Sequence, residues 1–328
     1  MRLIFHIGMP KCGTSTVQNV LSSYPEILME NGILYPNFDR FRETYMNLRH
    51  HSTGNGNPFV YILNGQKDPE VAPNLRAKKV FEDFRDQIKS ANPEMIVISH
   101  EDMIGFPISF MIEIAESIGL GVDDIEVVMH IRRHESWIAS DYQQHIKQLR
   151  SCASLEEHVG NRLHVVQFGT IARRFSQRLG HKKVHIRLLD RDIKTKNIVH
   201  DMFAMLGYPI DSLATVEIYN GNEGVLGSYI PILRSANKKK VSDKKFSKIL
   251  NLGLKGRARA AKGKSNSFVL PYTLALIVWH FSAKDRTDLK PFLTDEEIDI
   301  LEAPPVFSYD RENEFDEILE HFLIALEA

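Results

Sequence analysis

Residues Gly8 to Thr16 read GMPKCGTST, directly after the apolar run Leu3-Ile4-Phe5-His6-Ile7. A strand that runs through a glycine-bearing loop into a helix is a phosphate cradle. The glycines let successive backbone N–H groups turn inward on an anion, and the helix N-terminus adds partial positive charge. The triphosphate version, G-x-x-x-x-G-K-[ST], sets a lysine on the β/γ-phosphates and a hydroxyl on magnesium. Gly8 and Gly13 keep that spacing, but Thr14 stands in the lysine's place and the cation is Lys11, inside the loop. The displacement argues against ordinary ATP or GTP hydrolysis, because the charge sits over a different atom of the ligand.

Two further predicted strand ends carry reactive groups. Met95–Ser99 (MIVIS) leads into His100-Glu101-Asp102, and Ile125–Ile131 (IEVVMHI) into Arg132-Arg133. Open parallel sheets bind ligands at the carboxyl ends of their strands, so these positions belong with the loop. Ser140 follows Arg132 by eight residues, roughly two turns into the next helix. An arginine and a hydroxyl can thereby meet one phosphate. Arg133 is the member of the pair expected in solvent.

The elements that must position these groups follow from hydrophobic periodicity. Helices are expected over Ser15–Ser23, Leu75–Ala91, residues 107–120, residue 134 to about Arg150, much of Leu155–Leu179, and Asn197–Leu206. A fourth strand is expected over Lys183–Leu189. The βαβ rhythm implies an α/β fold with a central parallel sheet flanked by helices on both faces. Residues 32–74, rich in Gly, Pro, Asn and His, read as a loop excursion of the kind that carries substrate contacts. The C-terminal third adds a helical extension, with an apolar helix at Tyr272–Phe281 and a last one near Glu312–Leu326. The whole reads as a single domain over 1–328, with its core in 1–215 and a helical, basic part in 216–328.

A formal net charge of −1 excludes binding of polyanions by overall charge, and 43% hydrophobic residues exclude a disordered chain. Cys12 and Cys152 are the only cysteines, which excludes a disulfide framework and a cysteine-rich zinc site. A reducing compartment is expected. No segment is apolar enough for a signal peptide or membrane span at the N-terminus, so the chain reads as soluble and cytoplasmic. His50-His51 reads as loop decoration rather than a metal site. Cys12 reads as an oxidation-sensitive bystander rather than a nucleophile. Between Lys238 and Lys264 eleven lysines and arginines face a single acid, Asp243. Such a run is either a solvated face or an electrostatic funnel for an anionic acceptor such as an acidic glycan. Without interleaved aromatic residues it does not suggest nucleic acid.

Two of these motifs resemble those of the sulfotransferase superfamily, whose members move a sulfuryl group from 3′-phosphoadenosine-5′-phosphosulfate (PAPS) to an acceptor. Pro10-Lys11-Cys12-Gly13-Thr14-Ser15-Thr16 is similar to the family's 5′-phosphosulfate loop, and Arg132 to Tyr142, with Ser140, to its 3′-phosphate motif. Asn222 to Asn237 is more weakly similar to bacterial, carbohydrate-type members. The resemblance implies that Lys11, Cys12, Gly13, Thr14, Ser15 and Thr16 hold the donor's 5′ end and that Arg132 and Ser140 hold its 3′-phosphate. It implies no metal. Lys11 would stabilise the oxygen between sulfur and the leaving phosphate, where charge builds in the transition state. Glu101 is the first choice for the base that takes the acceptor's proton, and His100 the second. The implied acceptor is a hydroxyl on a carbohydrate or glycoconjugate. Alternatives are a small-molecule or lipid acceptor with His100 as base, a P-loop kinase or NTPase acting on a small metabolite, and a non-catalytic binding protein. The C-terminal nucleotide-covering segment of small-molecule sulfotransferases has only a faint echo in Lys255-Gly256-Arg257.

Overall fold

In the computed structural model, which describes residues 1–41, 54–67, 77–189, 197–216, 225, 227–260 and 268–306, the four expected strands join a fifth in one parallel sheet. They are β1 (Arg2–Gly8), β2 (Ile33–Leu34), β3 (Met95–His100), β4 (Ile125–Ile131) and β5 (Val184–Leu188), in the order β2-β3-β1-β4-β5. Every residue of β3 and β4, and of β1 from Leu3 onward, is buried. A parallel strand covered on both faces has no solvated side to alternate with, which is why these segments read as continuous apolar runs. Strand order reverses at β1, which lies between β3 and β4. That reversal opens the crevice in which doubly wound sheets bind ligands.

The helices are α1 (Thr14–Ser23), α2 (Pro25–Glu30), α3 (Asn57–Lys67), α4 (Ala77–Ala91), α5 (Ile108–Glu116), α6 (His134–Lys147), α7 (Leu155–Arg162), α8 (Phe168–Leu179), α9 (Ile198–Met205), α10 (Tyr229–Lys238), α11 (Asp243–Ala260), α12 (Tyr272–Phe281), α13 (Ala283–Leu289) and α14 (Asp295–Glu302). The stretch 155–179 is largely helical, as expected, in two helices parted by a turn at residues 163–167. One expectation needs correction. The excursion over 32–74 is not all loop: it supplies β2 and α3, and Phe59 to Leu63 of α3 are buried. His50, His51 and the helix expected near Glu312–Leu326 lie outside the described residues. Among the described residues no helix is long and apolar enough to cross a membrane.

The chain gathers into two compact units. The first comprises Met1–Arg132, Phe168–Gly221 and Asp285–Leu301 and contains the whole sheet; the second comprises Arg133–Gln167, Asn222–Lys284 and Glu302–Ala328. In the first, α1 and α9 pack on one sheet face through Val17, Val20, Leu21, Val199, Met202 and Phe203 against Ile4, Val97 and Val128. In the second, Tyr142 and Ile146 of α6 pack with Ile230, Leu233 and Ala236 of α10 and Phe246 of α11.

Candidate functional site

The loop between β1 and α1 is built on two left-handed residues, Lys11 (φ 72°) and Gly13 (φ 78°). Glycine adopts that conformation freely, whereas a lysine there costs on the order of 1–3 kcal/mol. Alternation of this kind curls the backbone so that its N–H groups line a concavity that suits an anion. Gly13 also occupies the N-cap position of α1 and so supplies no side-chain cap to the helix N-terminus. A Cβ on Gly13 would lie 2.8 Å from Ile198 Cδ1 and 3.2 Å from Leu189 Cδ1, so packing as well as φ demands glycine there. Thr14, at the lysine position of the triphosphate motif, is 3% exposed, and its Oγ1 has no hydrogen-bond partner among the described residues. A buried orphan hydroxyl in a phosphate-type loop suits a ligand oxygen. Cys12 is fully buried, which corrects the expectation that it is oxidation-sensitive.

Register brings three sequence-selected positions together. Ile7 of β1 is level with His100 of β3, and Gly8 is level with His130 of β4. The loop, Glu101 and Arg132 therefore leave adjacent strand ends, on either side of the reversal point. Arg132 Nε is buried without a partner among the described residues. Arg133, expected in solvent, is instead held: its Nε donates to Glu135 Oε1 at 2.5 Å and its Nη2 to the Ala303 carbonyl at 2.5 Å. Ser140 lies on α6, in the second unit.

His100 and Glu101 have different surroundings. His100 Nδ1 accepts from the Asp102 N–H at 3.0 Å, so Nε2 carries the proton and donates to Asn57 Oδ1 at 2.9 Å. Both ring nitrogens are engaged, and burial lowers the His100 pKa to about 4, partly opposed by Asp102. Glu101 opens a short 3-10 turn (Glu101–Gly105) and is half-buried.

Sequence reasoning passed over what lies under the loop. His6 Nδ1 is 2.7 Å from Ser99 Oγ, His6 Nε2 is 3.0 Å from His130 Nδ1, and Gln18 Nε2 donates to Ser99 Oγ at 3.1 Å. This buried chain ties α1 to β3, β1 and β4. Burial lowers the His6 pKa to about 4, and burial, then His6 and Arg187, lower that of His130 well below its ordinary 6.5. Both rings are neutral at physiological pH. The available signal was one histidine inside each of two apolar runs, where buried rings must find hydrogen-bond partners. Asn55 was also passed over. Its side chain accepts from Ser99 N–H at 2.8 Å and donates to the Val97 carbonyl at 3.0 Å, completing the edge of β3 beyond the two-residue β2. Gly54 beside it has no room for a Cβ, which would strike the Ser99 carbonyl.

No family model and no curated protein sequence matches the chain. Among solved structures, the chain is similar to a sulfotransferase from Alicyclobacillus acidocaldarius, at 14% identity and a TM-score of 0.39, over 75% of this chain and 99% of that one. It is also similar to the sulfotransferase domain from the curacin biosynthetic pathway, at 15% identity and a TM-score of 0.44, over 86% of this chain and 96% of that one.

Proposed function

We propose that this chain is a sulfotransferase that transfers the sulfuryl group of PAPS to a hydroxyl of a carbohydrate or glycoconjugate acceptor. The observation that carries the reading is the β1–α1 loop: a curled backbone at Lys11 and Gly13, with a buried Thr14 hydroxyl, unpartnered among the described residues, where a kinase would extend a lysine. In this reading the amides of Gly13 to Thr16 and the hydroxyls of Thr14, Ser15 and Thr16 hold the 5′-phosphate by charge-assisted hydrogen bonds. In the same reading Arg132 holds the 3′-phosphate, a role supported by its buried Nε, which has no partner among the described residues.

The reaction is an in-line displacement. The acceptor oxygen bonds to sulfur as the bond from sulfur to the 5′-phosphate oxygen breaks. The acceptor's proton passes to Glu101, and the bisphosphate PAP leaves with Lys11 stabilising its new charge. Glu101 is preferred to His100 as base because both nitrogens of His100 are already committed and burial disfavours its protonation.

Isothermal titration tests the reading. PAP is expected to bind without magnesium and far more tightly than ATP or 5′-AMP. Replacing Arg132 should weaken PAP binding by about 1.5–3 kcal/mol, the scale of a hydrogen bond to a charged group. Glu101→Gln should leave PAP binding intact while abolishing sulfate transfer. Equal affinity for ATP, or magnesium-dependent binding, would overturn the donor assignment.

A further inference from the structure

The described part of the basic run, Lys238 to Lys255, presents exposed lysines that the proposed donor site does not use. Lys238, Lys239 and Lys240 end α10 and begin the following turn; Lys244, Lys245, Lys248 and Lys255 lie on α11. All seven are exposed, and none makes an ion pair among the described residues. At about 100° per residue, Lys244, Lys248 and Lys255 fall within about 40° of one another and span about 16 Å of helix. The opposite face of α11, with Phe246, Ile249, Leu250 and Leu254, packs into the core of the second unit.

The acid in this stretch does not neutralise the stripe. Asp243 projects about 100° away from Lys244, and its carboxylate lies 3.3 Å from the Arg150 guanidinium. Arg150 also donates to the Val241 carbonyl at 2.8 Å and lies over the Phe246 ring at 3.7 Å, which anchors the start of α11. Lys240 holds a left-handed conformation (φ 49°) just past the end of α10, where glycine is the ordinary occupant. A cation stands there in spite of the backbone cost.

We infer that the lysine stripe of α11, Lys244, Lys248 and Lys255, is a docking surface for an acidic polysaccharide, a chain bearing carboxylate or sulfate groups at regular intervals. Lysines offer point charges, which suit spaced anions on an extended chain. A membrane is disfavoured because the apolar face of α11 is already buried in the second unit and cannot enter a bilayer interface. Single-stranded nucleic acid is disfavoured because no aromatic side chain interrupts the stripe to stack on bases. The inference does not depend on sulfuryl transfer: a chain that failed to bind PAP would still hold the polysaccharide.

Fluorescence anisotropy with labelled heparin tests it, using the full chain, its variant carrying Lys244→Gln, Lys248→Gln and Lys255→Gln, and a control carrying Lys79→Gln, Lys89→Gln and Lys182→Gln in the first unit. Glutamine is a good helix former, and circular dichroism checks that α11 persists. Heparin should bind the native chain in a salt-dependent way, and binding should weaken roughly tenfold to a hundredfold in the first variant, the scale of three lost contacts to a polyanion. The control variant should bind as the native chain does, and neutral dextran should not bind. Equal losses in the two variants, no heparin binding by the native chain, or tighter binding to phosphatidylserine vesicles or duplex DNA would each overturn the assignment.

Discussion

At the scale of single residues, Lys11 joins strain to chemistry. A lysine in the left-handed region at φ 72° is stable only because its neighbours fix the loop around it. Lys11→Gly should therefore relieve the strain. Against that gain stands the greater backbone freedom of glycine in the unfolded chain, so the net rise in stability is up to about 1 kcal/mol. On the proposed mechanism sulfate transfer should be lost, because Lys11 is the one charged side chain in GMPKCGTST. Urea unfolding and a PAPS-dependent assay on the same preparation would check both halves. A variant that is clearly less stable would show that Lys11 holds the loop through contacts rather than straining it. Lys11 was legible as the displaced cation because motif spacing is linear in sequence. Its left-handed backbone was not, since lysine ordinarily avoids that region and its residue type carries no signal for it.

At the scale of elements, β1, β3 and β4 were legible because strands buried on both faces must be apolar throughout, and α4 because Val80 and Phe84 recur at helical spacing. β2 escaped because two residues carry no period, and the break at 163–167 because helical patterning resumes directly after it. The chain of Gln18, Ser99, His6 and His130 escaped because it depends on register, which pairs His6 with Ser99 and sets His130 beside Gly8. Its consequence is a dependence on pH. His6 and His100, both lowered from 6.5 to about 4, and His130, held well below 6.5, take up protons more readily in the unfolded chain than in the folded one. Their contribution to stability is full above pH 6.5 and is lost as pH falls from 6.5 toward 4. Urea midpoints should fall between about pH 7.5 and about pH 5, and His6→Gln, which cannot titrate, should flatten that fall. A His6→Gln profile as steep as the native one would assign the acid sensitivity to other groups.

At the scale of the whole molecule, near-neutrality conceals a separation of charge. The chain carries 41 lysines and arginines against 42 aspartates and glutamates, yet seven exposed lysines, none in an ion pair among the described residues, fall between Lys238 and Lys255, at the end of α10, in the turn after it and on α11. A molecule with so little net charge has weak overall repulsion, so a concentrated basic face is free to meet acidic surface on another copy. Contacts between exposed charges are screened by salt, with a Debye length of about 10 Å at 0.1 M. Self-association is therefore expected at neutral pH and low ionic strength, and should reverse on adding salt. Replacing Lys244, Lys248 and Lys255 by glutamine takes the formal charge from −1 to −4 (−1 − 3 = −4) and removes the attracting face together. Dynamic light scattering should then give a hydrodynamic radius that is larger for the native chain in low salt than in high salt, and nearly salt-independent for the variant. If the native radius does not change with salt, the lysine face attracts no acidic surface on its own kind.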